Sequence, residues 1–94
     1  MKDSTKSALL GAAEEVLGLP QDEMENSFDL DLFENNLIDS LGCVAMVTSV
    51  SEILNKDIDI EKLSPEDYAT LNTLGEAIER IIGWKKYLIE NFIH

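Results

Sequence analysis

Along residues 4–17 the apolar positions Leu9, Ala12, Ala13, Val16 and Leu17 return at helical spacing, with Glu14 and Glu15 opposite them. That period gathers side chains onto one face, so an amphipathic α-helix is predicted, its acids towards water. Gly18 followed by Pro20 ends it: glycine accepts the left-handed backbone that closes a helix, and proline cannot continue one. A second helical period covers residues 40–54, where Val44, Val47, Val50 and Leu54 form a predicted buried stripe. A short third helix is expected to open at Ser64-Pro65-Glu66-Asp67, a capping hydroxyl followed by proline at the first helical position. Thr73-Leu74-Gly75-Glu76 has the form of a capping box for a fourth. The apolar stripe of that helix is Leu74, Ala77, Ile78, Ile81 and Ile82.

Between the first two helices lies a long acidic connection, residues 21–39, carrying Phe28, Leu30, Leu32, Phe33, Leu37 and Ile38. So many apolar anchors do not suit a solvated linker, and the connection is expected to lie over the bundle. Asn35-Asn36 marks a turn near its end, because asparagine tolerates left-handed backbone. Residues 55–63 form another connection, with Ile58 and Ile60. Beyond Gly83, Trp84, Tyr87, Leu88 and Phe92 again share a helical face, so the tail either extends the fourth helix or forms a fifth after a break. No stretch alternates as a strand would. The expected fold is all-α: a four-helix bundle with a long first loop, a short third helix and a helical C-terminal extension. Residues 1–82 would form the domain and residues 83–94 the amphipathic extension.

At 94 residues the chain suits one small domain. A domain of this size buries roughly 60–70% of the surface its unfolded chain exposes, which leaves little room for a deep catalytic cleft. Its 19 acids and 7 bases give a formal charge of −12. Phosphate backbones and anionic headgroups would repel it, so nucleic acid and anionic membranes are not expected partners. Proteins with basic patches are favoured. The longest apolar run, residues 43–47, falls far short of the roughly 18 residues of a membrane span, and no signal-peptide pattern opens the chain. A monomer in the cytoplasm, without membrane insertion, is expected. One cysteine, Cys43, allows no internal disulfide and no multi-cysteine metal site. His94, alone at the terminus, offers no basis for acid–base or metal chemistry.

Catalytic constellations are missing, and the five glycines are too scattered for a phosphate loop. Asp29-Leu30-Asp31 opens like a calcium loop, but Phe33 and Glu34 would take its fifth and sixth positions and Ser40 its twelfth, where a bidentate glutamate is needed. Asp57-Ile58-Asp59-Ile60-Glu61 fails similarly, with Lys62 in place of the glycine and Tyr68 at the twelfth position. No metal site is expected. What stands out is Leu32-Phe33-Glu34-Asn35-Asn36-Leu37-Ile38-Asp39-Ser40-Leu41-Gly42. Asp39 reads as an N-cap, which places Ser40 in the first turn of a helix. There the hydroxyl projects from the bundle's end, and the dipole and free amides favour an anion. A phosphodiester at that point would gain about 0.3–1 kcal/mol from the macrodipole. The serine cannot activate itself, so another enzyme would have to modify it.

This segment resembles the attachment motif of the acyl, peptidyl and D-alanyl carrier proteins, whose serine bears 4′-phosphopantetheine. The resemblance extends through Ser64-Pro65-Glu66-Asp67-Tyr68-Ala69-Thr70-Leu71-Asn72-Thr73-Leu74 and the helix order, covering residues 4–82. It implies that a phosphopantetheinyl transferase, using Mg²⁺, moves the arm from coenzyme A to Ser40. Asp39 would help position the transferase's metal as well as cap the helix. The arm's thiol would then hold an acyl or aminoacyl group as a thioester, loaded by a ligase or synthase and passed on by acyltransferases. The carrier itself would catalyse nothing.

Departures from the family pattern point to specialised use. The outward positions of the second helix, Leu41, Ala45, Thr48, Ser51 and Glu52, include one acid, so contacts there would lean on apolar and hydroxyl groups. Asn36 stands where many relatives have glycine. Candidate walls for an acyl chain are Val44, Val47, Val50, Ile58, Leu63, Ala69 and Leu74, which a bundle core would equally require. Met46 reads as core or pocket lining. Cys43, one turn from Ser40, reads as a half-buried filler or as a thiol able to trap the arm in a disulfide. The second-helix chemistry and the tail lean towards an acyl carrier in a specialised fatty-acid, lipid or secondary-metabolite pathway. A D-alanyl or other aminoacyl carrier is the nearest rival. A reading of another class is a non-carrier interaction module, in which Ser40 is merely a helix-start residue.

Overall fold

The computed structural model describes the backbone of residues 1–92 and the side chains of residues 1–83. Its helices are α1 (Asp3–Leu17), α2 (Gln21–Met24), α3 (Ser40–Leu54) and α4 (Leu71–Phe92), with 3₁₀ turns at Ile60–Lys62 and Pro65–Tyr68. The described residues contain no strand and no helix long and apolar enough to cross a membrane. α4 runs through Gly83 without a break. The side-chain stripe expected from Trp84, Tyr87, Leu88 and Phe92, and His94 with it, lies outside the described residues.

Each helix end has a local cause. α1 closes on Gly18 at φ +69, whose amide and that of Leu19 return to the Glu14 and Ala13 carbonyls. α3 closes in the same way on Asn55 at φ +52. At the start of α1 no neighbouring side chain caps the helix. Instead Glu79 reaches across from α4, its Oε2 accepting the Lys2 amide at 2.7 Å. The start of α4 corrects the expected box at Thr73 and Glu76. The helix begins three residues earlier, with Thr70 and Thr73 as reciprocal partners: the Thr73 amide donates to Thr70 Oγ1 at 3.0 Å and the Thr70 amide to Thr73 Oγ1 at 3.1 Å. A threonine hydroxyl here does what glutamate does in the common form of the box. The short third helix is a 3₁₀ turn, in which the Asp67 carboxylate accepts the Ser64 amide at 2.8 Å.

The bond to the Lys2 amide holds the Glu79 carboxyl below its ordinary range. Partial burial opposes this, while Thr5, the amino terminus and the Lys2 ammonium reinforce it. A carboxyl depressed by folding adds stability that is complete above the unfolded-state range and is lost as pH falls through the folded-state value. Glu79→Gln is therefore expected to lower the melting temperature at neutral pH and to match wild type once the solution is acid enough to protonate Glu79. Thermal melts across that range check this, and an equal deficit at every pH would contradict it.

Leu9, Leu32, Met46, Val50, Leu71, Leu74 and Ile78 are the largest fully buried side chains, and the most extensive helix packing is that of α1 on α3. Ser49, unexpectedly buried, donates to Glu15 Oε2 at 3.1 Å and ties those two helices by a satisfied polar contact. The long connection does lie on the bundle. Phe28, Leu32 and Ile38 are buried, while Leu30 and Phe33 face outward. Its backbone is joined to the corner before and into α4, Leu32 donating to the Ala69 carbonyl at 2.7 Å and Asn72 to that of Phe28 at 3.1 Å. Asn72 Nδ2 also bonds Asp29.

Val44 departs from the expected buried stripe: it is 51% exposed. The buried arc of α3 is Met46, Val47, Ser49 and Val50. At about 100° per residue, Val44 turns away from the centre of that arc and sits beside Leu41 and Thr48 on the outer face. About half of its side chain therefore faces solvent instead of the core.

Candidate functional site

The connection delivers the chain to α3 through a stiff turn. The Asp31 carboxylate accepts the Glu34 amide at 2.9 Å, Asn35 Nδ2 donates to the Asp31 carbonyl at 2.7 Å, and the Leu37 amide donates to the Leu32 carbonyl at 2.8 Å. Asn36 takes the left-handed conformation, φ +55, as its type allows. Ile38 is then buried, and Asp39 emerges in extended backbone. Its Oδ1 accepts the Gly42 amide at 2.7 Å and its carbonyl accepts the Cys43 amide at 2.9 Å, so Asp39 is the N-cap.

Ser40, exposed, is the first residue of α3. Gly42 lets this turn sit close against its surroundings. A Cβ there would lie 3.1 Å from Ile38 Cγ1, 3.3 Å from Asp39 Oδ1 and 3.4 Å from Leu17 Cδ2. The chain carries no lysine or arginine between Lys6 and Lys56, so the amides of the first turn are the nearest cationic ends that α3 itself offers an anion. An exposed hydroxyl over such amides can carry a phosphodiester. On its N-terminal side, the Asp39 carboxylate is engaged with the Gly42 amide through Oδ1.

Beside Ser40 an open groove of about 540 Å³ separates the end of α1 from the start of α3. Val16 and Leu17 line it from α1, Asn36, Leu37, Ile38 and Asp39 from the connection, and Leu41, Gly42 and Ala45 from α3. The structure thus brings together Asp39, Leu41 and Ala45 of the expected recognition residues. It adds Val16, Leu17, Asn36 and Leu37, whose role the periodicity had assigned only to core or turn. Further along α3, Thr48 and Glu52 are exposed and Ser51 is half-buried. The two hydroxyls are engaged, Thr48 Oγ1 donating to the Val44 carbonyl and Ser51 Oγ to that of Lys56.

The candidate acyl walls lie elsewhere. Val47, Val50 and Leu74 are core residues, Ile58, Leu63 and Ala69 are half-buried, and none of them lines the groove beside Ser40. Met46 is fully buried. Cys43 is half-buried, and burial, then the charge of Asp39, push its thiol above the ordinary range. The reactive thiolate is thereby suppressed, which fits the filler reading. Burial also pushes the Tyr68 phenol up, with Cys43 and Asp67 adding to it. Among the described residues no group of three or more His, Cys, Asp or Glu side chains is placed to hold a metal ion.

Comparison with known proteins gives the family. Residues 7–80 match the family described as "Phosphopantetheine attachment site". The D-alanyl carrier proteins of Streptococcus equi subsp. zooepidemicus (strain MGCS10565) and Streptococcus equi subsp. equi (strain 4047) are each 27% identical over 78 residues, 83% of this chain and 95% of theirs. That of Lactobacillus acidophilus is 25% identical over 77 residues, 82% of this chain and 94% of its own. No solved structure matches the chain significantly. The chain belongs to the phosphopantetheine-attachment family of carrier proteins, whose cofactor is covalently attached 4′-phosphopantetheine.

Proposed function

We propose that Ser40 bears the phosphopantetheine arm and that the carried group is a small aminoacyl group of the D-alanyl kind, held as a thioester. The observation that carries this reading is the similarity to D-alanyl carrier proteins over 83% of the chain and 95% of theirs. Two features of the structure support it. The outer face of α3 is uncharged from Leu41 to Ser51, with Leu41 82% and Val44 51% exposed, a surface for a dedicated partner with an apolar contact. Met46 and Val50 of α3 and Leu71 and Leu74 of α4 are fully buried, and a small cargo needs no rearrangement of that core.

On this reading the chain's own residues present and position; they do not catalyse. Ser40 Oγ forms the new bond to phosphorus, the nucleotide half of coenzyme A leaves, and the hydroxyl proton passes to the transferase. Asp39 keeps the first turn of α3 closed, so the Ser40 hydroxyl projects from a fixed point. The turn's amides stabilise the phosphodiester. When bound, the arm supplies the thiol that carries the aminoacyl group. The partners are a phosphopantetheinyl transferase and an adenylating ligase that loads the thiol, in the cytoplasm, where the carrier acts as a monomer.

Purifying the carrier from its own cells and releasing the cargo with hydroxylamine tests the cargo directly. Alanine hydroxamate is expected by mass spectrometry. A fatty-acyl hydroxamate would replace this reading with that of an acyl carrier for a lipid pathway.

A further inference from the structure

We propose that the groove between α1 and α3 is a resting site for the carrier's own phosphopantetheine arm. The inference rests on Ser40 being the attachment residue. The two neighbours of Ser40, Asp39 and Leu41, both line the groove, so a chain tethered there starts at its rim. Its volume, about 540 Å³, lies within the roughly 300–1,000 Å³ of sites that hold small molecules.

The lining suits this occupant chemically. Beyond its phosphate the arm is neutral: a geminal dimethyl group, a hydroxyl and two amides. The groove offers methyl groups from Val16, Leu17 and Leu41 and a carboxamide from Asn36, which can exchange hydrogen bonds with an amide. Its one acid, Asp39, is already bonded to the Gly42 amide at the rim. Asn36 stands in a left-handed turn with its side chain exposed. On the opposite side of α3, Met46 and Val50 are fully buried.

Tethering makes weak contacts sufficient. A short flexible link gives its free end an effective concentration on the order of millimolar, so a site with millimolar affinity is occupied much of the time. A partner enzyme would draw the arm out of the groove to load or unload the thiol.

The test begins with the intact mass of holo protein made with coenzyme A, Mg²⁺ and a transferase. If no arm is gained, the carrier reading itself fails. With holo protein in hand, nuclear Overhauser contacts are measured from the arm's geminal methyls. Contacts with the methyls of Val16, Leu17 and Leu41 are expected, with apo-to-holo shift changes at Val16 and Leu17, more than twenty positions from Ser40. Asn36→Gly keeps the turn, because glycine accepts positive φ, and is expected to weaken those contacts. Arm methyls as narrow as in free pantetheine, with shift changes confined to residues 39–42, would overturn the proposal. So would contacts with Ile58 and Leu63, which place the arm on the other side of α3.

Discussion

Ser40→Ala is expected to abolish attachment of the arm entirely while leaving the fold unchanged. The hydroxyl is the only part of the side chain that could form the bond to phosphorus, and alanine removes it. The cost to folding is small because Ser40 is exposed and the capping bond at α3 comes from Asp39, not from Ser40. A surface substitution of this kind usually changes stability by no more than about 0.5 kcal/mol. The two halves of the expectation separate the readings. Loss of the arm with an unchanged circular dichroism spectrum and melting temperature marks Ser40 as the attachment residue. If the non-carrier interaction module were correct, Ser40→Ala would leave partner binding and biological activity intact.

Leu9→Ala is expected to have the largest effect on stability. Leu9 is fully buried in α1, and its Cδ1 lies so close to Gly75 of α4 that a Cβ there would be 2.8 Å away. Truncating it loses transfer free energy and leaves a cavity where two helices cross, since both backbones limit collapse. Such substitutions cost about 2–5 kcal/mol, against total stabilities of about 5–15 kcal/mol. For a domain of this length the melting temperature should fall by roughly 10–30 °C. Leu41→Ala is the control: at 82% exposure it should leave the melting temperature nearly unchanged. Equal losses in the two variants would contradict the placement of the core.

Much of this arrangement is legible in the residues because its signals are local. Asp39 and the apolar period place α3 at Ser40–Leu54, and the Gly18-Leu19-Pro20 stop ends α1 at Leu17. Ser40 stands out because a capped first turn is itself a sequence pattern. The misses come where two patterns compete or where the cause is tertiary. Val44 fits a three-residue step to Val47, yet the arc that α1 covers is centred between Met46 and Val50. Thr70 and Thr73 cap α4 with hydroxyls alone, and the more familiar threonine–glutamate spacing lies three residues later. α2 is only four residues long, too short for a period, although it buries Met24. Glu79 as the cap of α1 joins residues 77 positions apart, and the groove beside Ser40 forms only when α1, the connection and α3 are packed. No single stretch of sequence carries either feature.

The most direct test of the central claim is peptide mapping of the protein after reaction with coenzyme A, Mg²⁺ and a broad-specificity phosphopantetheinyl transferase. One phosphopantetheine on the peptide containing Ser40, and on no other, is the predicted result. Attachment at another serine, or no attachment with several transferases, would contradict it.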